Sequence, residues 1–154
     1  MNRPMNRIAA AAVLVSSAFL PMAYLAAHCE VPCGIYDDGA RITELKEDYS
    51  TIAKAIAQIV ELSETHNANA HNQLVRWVTT KETHATNIQH TIAQYFMTQK
   101  IKANDKHYVD KLTAAHGVMV AAMKCKQSAD PATAVALQAA ITKFEVAYVG
   151  HSHP

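Results

Sequence analysis

Residues 28 to 37 read His28-Cys29-Glu30-Val31-Pro32-Cys33-Gly34-Ile35-Tyr36-Asp37, which places an imidazole and two thiols within six positions. Thiolates are soft donors and imidazole a borderline one, so the set suits a late first-row transition metal. Pro32 and Gly34 supply bends that can turn both sulfurs towards one point. A cut after Ala27 would add the α-amine of His28 and the backbone nitrogen of Cys29 to the same small chelate. Two thiolates and two nitrogens fill a square plane, which suits Ni(II) or Cu(II) rather than tetrahedral Zn(II). The His28 imidazole is then left for an axial position, offering a redox metal a change of coordination number. A disulfide between Cys29 and Cys33 is the competing reading, since oxidising compartments promote it.

Whether that amine exists depends on what precedes it. Arg3 and Arg7 are the only charges before Glu30, and Ile8 to Ala27 form an uncharged run broken by Pro21. A basic start, an apolar centre and a small residue at the end have the layout of a secretory signal. A membrane anchor is the alternative, but the many Ala and Ser residues and Pro21 suit a spanning helix poorly. Residues 1–27 are therefore expected to be a removable leader, sending the chain to the periplasm or outside the cell. Removal of the leader in the cytoplasm is the second reading. Leu25 is not ideal three residues before the cut. The processed chain would have 127 residues, with 12 basic and 13 acidic side chains, so it has no long-range attraction for nucleic acid and no stable hold on a membrane.

Half of the sequence is apolar and only 6% aromatic, a composition that favours packed helices. From Ala40 to about Glu64, Ile42, Leu45, Tyr49, Ile52, Ile56 and Ile59 recur in steps of three and four and demand a partner surface. The polar stretch ETHNANAHN reads as a connection. A second helix carries Val75, Val78, Ala85, Ile88, Ile92 and Tyr95, and KANDK breaks the pattern. The third, from His107 to Lys126, sets Tyr108, Leu112, Ala115, Met119, Ala122 and Met123 along one side. Asp130 and Pro131 suit the N-cap and first position of a fourth, continued by Val135, Ala139, Ile141, Phe144 and Tyr148. Short connections between such helices predict an all-α, antiparallel up-and-down four-helix bundle over residues 39–149. A metal-binding hook at 28–38 would precede it, and a flexible tail, 150–154, would follow.

The sequence resembles the nickel-containing superoxide dismutases. Their signature, H-C-x-x-P-C-G-x-Y-D, is met at His28, Cys29, Pro32, Cys33, Gly34, Tyr36 and Asp37. Looser matches follow at Ala40-Arg41-Ile42, Lys81-Glu82, Tyr95-Phe96 and Asp130-Pro131-Ala132-Thr133. The resemblance implies a homohexamer of four-helix bundles with one nickel ion per subunit, made competent by a leader-processing protease. Nickel would be held by the His28 α-amine, the Cys29 amide nitrogen and thiolate, and the Cys33 thiolate, with the His28 imidazole axial in Ni(III). Superoxide would be disproportionated to O₂ and H₂O₂ by Ni(II)/Ni(III) cycling. Pro32 shapes the hook, and Tyr36 stands near the open face of the metal.

Two positions depart from the family pattern. The acid that holds the axial imidazole falls at Glu44 when counted from His28, but at Thr43 when aligned on Ala40-Arg41-Ile42. The family's Arg in the second helix is replaced by His84, whose charge titrates near neutrality where Arg stays fixed. Tyr95 is expected in the core with its hydroxyl on a polar neighbour. Cys125 reads as a small, inert structural residue. His66, His71, His90, His107 and His116 match no ligand spacing, and no C-x-x-C-H haem motif occurs. A non-enzymatic exported bundle that stores or delivers nickel or copper is the alternative function.

Overall fold

Ile42, Leu45, Ile52, Ala55, Ile56 and Ile59 form the buried stripe of a 26-residue helix, α1 (Asp38–Ser63). In the computed structural model, which describes residues 38–150, three more helices complete this stripe. They are α2 (Ala68–His90), continued by a π-helix over Thr91–Lys100, then α3 (Tyr108–Gln127) and α4 (Pro131–Val149). The leader, residues 28–37 and residues 151–154 lie outside the described region. Among the described residues no helix is long and apolar enough to cross a membrane.

Side-chain contacts fix the direction of every neighbouring pair. Asp48 meets His84, while Lys54 lies over Trp77, so α1 and α2 run antiparallel. Gln89 reaches Met119 and Lys81 reaches Cys125, which orients α2 against α3. Cys125 bonds to Thr133, and Lys111 covers Tyr148, so α3 and α4 are also opposed. Lys46 with Glu145 and Tyr49 with Gln138 close the ring between α4 and α1. The result is the predicted up-and-down four-helix bundle.

Local chemistry sets the helix ends. Asn67 accepts a bond from the Ala70 N–H at 2.9 Å, so α2 starts inside the polar stretch that reads as a connection. An Asn N-cap satisfies one of the orphan N–H groups of the first turn, and it overrides the missing apolar period there. Asp105 serves the start of α3, accepting from the His107 N–H at 2.8 Å and from Lys111 Nζ at 2.6 Å. Asp130 caps α4 through the Ala132 N–H at 2.9 Å, with Pro131 in the first turn as expected. Gly150 ends α4 with φ 91°, a left-handed conformation that Gly adopts without steric cost.

The core departs from the sequence expectation on three helices. Val75 is 63% exposed and Val78 also faces outward, because α2 turns Ala70 and Lys81 inward in line with the expected Ala85 and Ile88. On α4, Val135 is 65% exposed while Ala134, Leu137, Ile141 and Phe144 are buried. That helix is apolar on all sides, so its sequence carries no period that selects a face. Met123 on α3 is likewise exposed.

Aromatic packing closes one end of the bundle. The Phe96 ring stands edge-on to Tyr95, Phe144 and Tyr148 at centroid distances of 5.0, 4.9 and 5.0 Å. The π-helical turn is wider than an α turn, and both Tyr95 and Phe96, adjacent in sequence, are buried in it. Phe96→Ala should therefore lower the free energy of unfolding by about 3–5 kcal/mol, as expected for emptying a buried aromatic site. Val75→Ala should change it by about 0.5 kcal/mol or less, and urea melts followed by circular dichroism compare the two.

Candidate functional site

Asp38, the first residue of α1, brings three donors from two other elements of the bundle to one carboxylate. Tyr95 donates to Oδ1 at 2.6 Å, Tyr148 to Oδ2 at 2.7 Å, and Lys100 Nζ lies 3.0 Å from Oδ1. Tyr95 and Lys100 come from the π-helix and Tyr148 from the end of α4, so one side chain ties α1 to both. Burial works against the carboxylate, but the bonds from Tyr95, Tyr148 and Lys100 outweigh it and hold its pKa below the usual value. The same contacts act in reverse on their partners. Burial and then the Asp38 carboxylate push both phenols up, while the bond to Asp38 raises Lys100.

A polar band runs from this junction along α1. The guanidinium of Arg41 lies 5.5 Å from the centroid of the Tyr95 ring and pairs with Glu44 Oε2 at 2.6 Å. Beyond it a groove of about 440 Å³ opens between α1 and α2, lined among others by Arg41, Glu44, Asp48, His84, Asn87 and His90. His84 Nδ1 lies 2.5 Å from Asp48 Oδ1. Burial raises the Asp48 carboxyl above its usual pKa despite the bond from His84. Glu44 and His84 thus share one groove, Glu44 paired with Arg41 and His84 with Asp48. Thr43 does not line this groove; its hydroxyl donates to the Gly39 carbonyl at 3.0 Å in its own helix.

Two further charged groups are buried, Lys81, marked in the sequence only by a family match, and Glu145, which the sequence did not single out. Lys81 is 4% exposed, and its ammonium donates to the carbonyls of Cys125, Lys126 and Ser128 at 2.5, 2.7 and 3.3 Å. It therefore supplies positive charge where α3 ends and the macrodipole is negative. Glu145 is 1% exposed and accepts from Lys46 Nζ at 3.0 Å.

Of the residues expected to carry chemistry, His28, Cys29, Pro32, Cys33, Tyr36 and Asp37 lie outside the described region. Tyr95 is in the core with its hydroxyl on Asp38, as its type and position suggested. Cys125 is fully buried, donates to the Thr133 carbonyl at 3.3 Å, and has its thiol pKa pushed up by burial, all of which suit an inert packing residue. Among the described residues no three His, Cys, Asp or Glu side chains stand close enough to hold a metal ion.

Sequence comparison places the whole described bundle, together with the His28–Asp37 segment, inside one family. The family model for nickel-containing superoxide dismutase matches residues 23–152. The chain belongs to that family. No curated protein and no solved structure gives a significant match. The family is defined by an oxidoreductase activity on superoxide and by nickel, and the donor chemistry of residues 28–33 fits that metal: two thiols and an imidazole are soft and borderline ligands.

Asp38, Asp48 and Lys100 join this region through the fold alone, whereas Arg41 stands in the sequence as part of a family match and Tyr148 as part of an apolar stripe. A carboxylate at the first position of a helix has an ordinary local reason to be there, because it complements the dipole. Its distant donors leave no local trace.

The depressed pKa of Asp38 gives its contacts a defined acid dependence. Their stabilisation is fully present above the unfolded-state value of about 3.9 and is lost as pH falls through the lower folded value. Asp38→Asn should accordingly melt below wild type near neutrality, and the gap should close as pH falls from about 5 towards 2. Melting temperatures measured across that range check it; a constant gap would remove the assigned role of the charge.

Proposed function

We propose that this chain dismutates superoxide at a processed N-terminus beginning with His28. The match of residues 28–37 to the family signature, in a chain of that family, carries the reading. The His28 α-amine, the Cys29 amide nitrogen and thiolate and the Cys33 thiolate hold one nickel ion per subunit, with the His28 imidazole as a further donor. Bound there, nickel would supply a one-electron Ni(II)/Ni(III) couple through which one superoxide is oxidised to O₂ and a second is reduced and takes up two protons from water, giving H₂O₂.

The protein's own groups do the rest. Thiolates and a deprotonated amide are electron-rich donors that favour the higher oxidation state. Glu44, paired with Arg41, and His84, paired with Asp48, flank one groove and orient the His28 imidazole by hydrogen bonding. The Tyr36 hydroxyl orders water beside the metal and limits what reaches it. Pro32 and Asp37 shape the two sides of the hook.

Residues 1–27 act as the leader, and a processing protease makes the cut that frees the amine. Their uncharged run supports export to the periplasm or beyond, with processing in the cytoplasm as the other arm of the test. Assembly into a homohexamer is supported by family membership and by the outward valines of α4, Val135, Val146 and Val149, which leave an apolar strip on a helix that is apolar all round.

N-terminal sequencing of the processed protein should give His28 first, with about one tightly bound nickel per chain. A single residue left before His28, or Ser at both Cys29 and Cys33, should abolish dismutation while the bundle stays helical. Full activity in either variant overturns the mechanism. Nickel or copper binding without dismutation by the processed protein favours a storage or delivery role instead.

A further inference from the structure

We infer that Asp38 is a positioning residue for the metal-binding hook, its three side-chain donors fixing the point from which residues 28–37 leave the bundle. The inference rests on the proposed function, since it concerns how the donors of that hook are held. Cys33 precedes Asp38 by five residues, a length that spans at most about 16–18 Å when fully extended. Where the root is fixed, the second thiolate is confined to that radius.

The first turn of a helix is ordinarily the loosest, because its leading N–H groups lack partners within the helix and its ends fray. Here the first residue is instead held from two other elements. Tyr95 and Lys100 approach Asp38 Oδ1 from the π-helix, and Tyr148 approaches Oδ2 from α4. Bonds from separate elements to both oxygens restrict rotation of the carboxylate as well as its position. Losing them would let the first turn unwind, lengthening the tether by several residues at about 3.3–3.6 Å each. A longer tether lowers the effective concentration of one donor near the others and near the groove lined by Glu44 and His84. Nickel affinity and site uniformity should therefore depend on Asp38 although it offers no ligand to the metal.

The test compares nickel binding by processed wild type, Asp38→Ala, Tyr148→Phe and Asn67→Ala. Asn67 caps α2 at the opposite end of the bundle, so its variant reports what general destabilisation does. Asp38→Ala should bind nickel about 10- to 100-fold more weakly, the range typical when a group supporting metal ligands is removed. Tyr148→Phe removes one of the three bonds and should weaken nickel binding less, in the same direction. Asn67→Ala should lower the melting temperature of the apoprotein and leave nickel affinity unchanged. Wild-type affinity in Asp38→Ala, or an equal loss in Asn67→Ala, overturns the inference. Should Asp38→Ala fail to fold, unchanged affinity in Tyr148→Phe overturns it. Absence of nickel binding by wild type defeats the proposed function itself, a result distinct from both.

Discussion

The Asp38 carboxylate is the contact on which the arrangement at this end of the bundle depends. A four-helix bundle held only by its apolar stripe leaves the axial position of each helix end weakly specified, because apolar contacts are non-directional. Hydrogen bonds from Tyr95, Tyr148 and Lys100 are directional, and they converge from elements distant in sequence. Phe96 underlies the same junction and packs against both tyrosine rings. Polar clamp and aromatic floor are thus two sides of one joint, and the π-helix supplies residues to both.

From that joint the polar band leads to the groove between α1 and α2. Its members are paired rather than left exposed to the apolar core: Arg41 with Glu44, and Asp48 with His84. Pairing allows charged groups to sit half-buried without the full cost of desolvation. It also leaves polar atoms facing a space large enough for a loop side chain.

Helix periodicity made the bundle legible, most clearly in α1, where the expected apolar positions are the buried ones apart from the half-buried Tyr49. It failed on α4 because a helix with apolar residues on every side carries no face preference, and on the start of α2 because a cap, not a stripe, begins it. The π-helix was not legible, as its wider turn follows from packing rather than from a residue code. Within the candidate site, the short motif at residues 28–37 was readable because its members are neighbours in sequence. Asp38, Asp48 and Lys100 were not, since their partners lie 36 to 110 residues away and no local pattern marks such pairs. Lys81-Glu82 stood out only as a match to the family; the fold shows that Lys81 serves structure at the end of α3.

Lys81 also limits which side chains its position can accept. An ammonium presents three protons from a single nitrogen, and the carbonyl oxygens of Cys125, Lys126 and Ser128 gather around it with the Glu82 carboxylate beside them at 3.3 Å. Arginine would carry the same charge, but as a broad planar fork shaped for two parallel acceptors. Glutamine would bring one nitrogen with only two protons and no charge for the helix end. Methionine would match the stem and leave the buried Cys125 carbonyl without this donor. Exchange for a residue of similar charge or similar size is therefore costly at position 81, because the site asks for several protons and a positive charge on one atom.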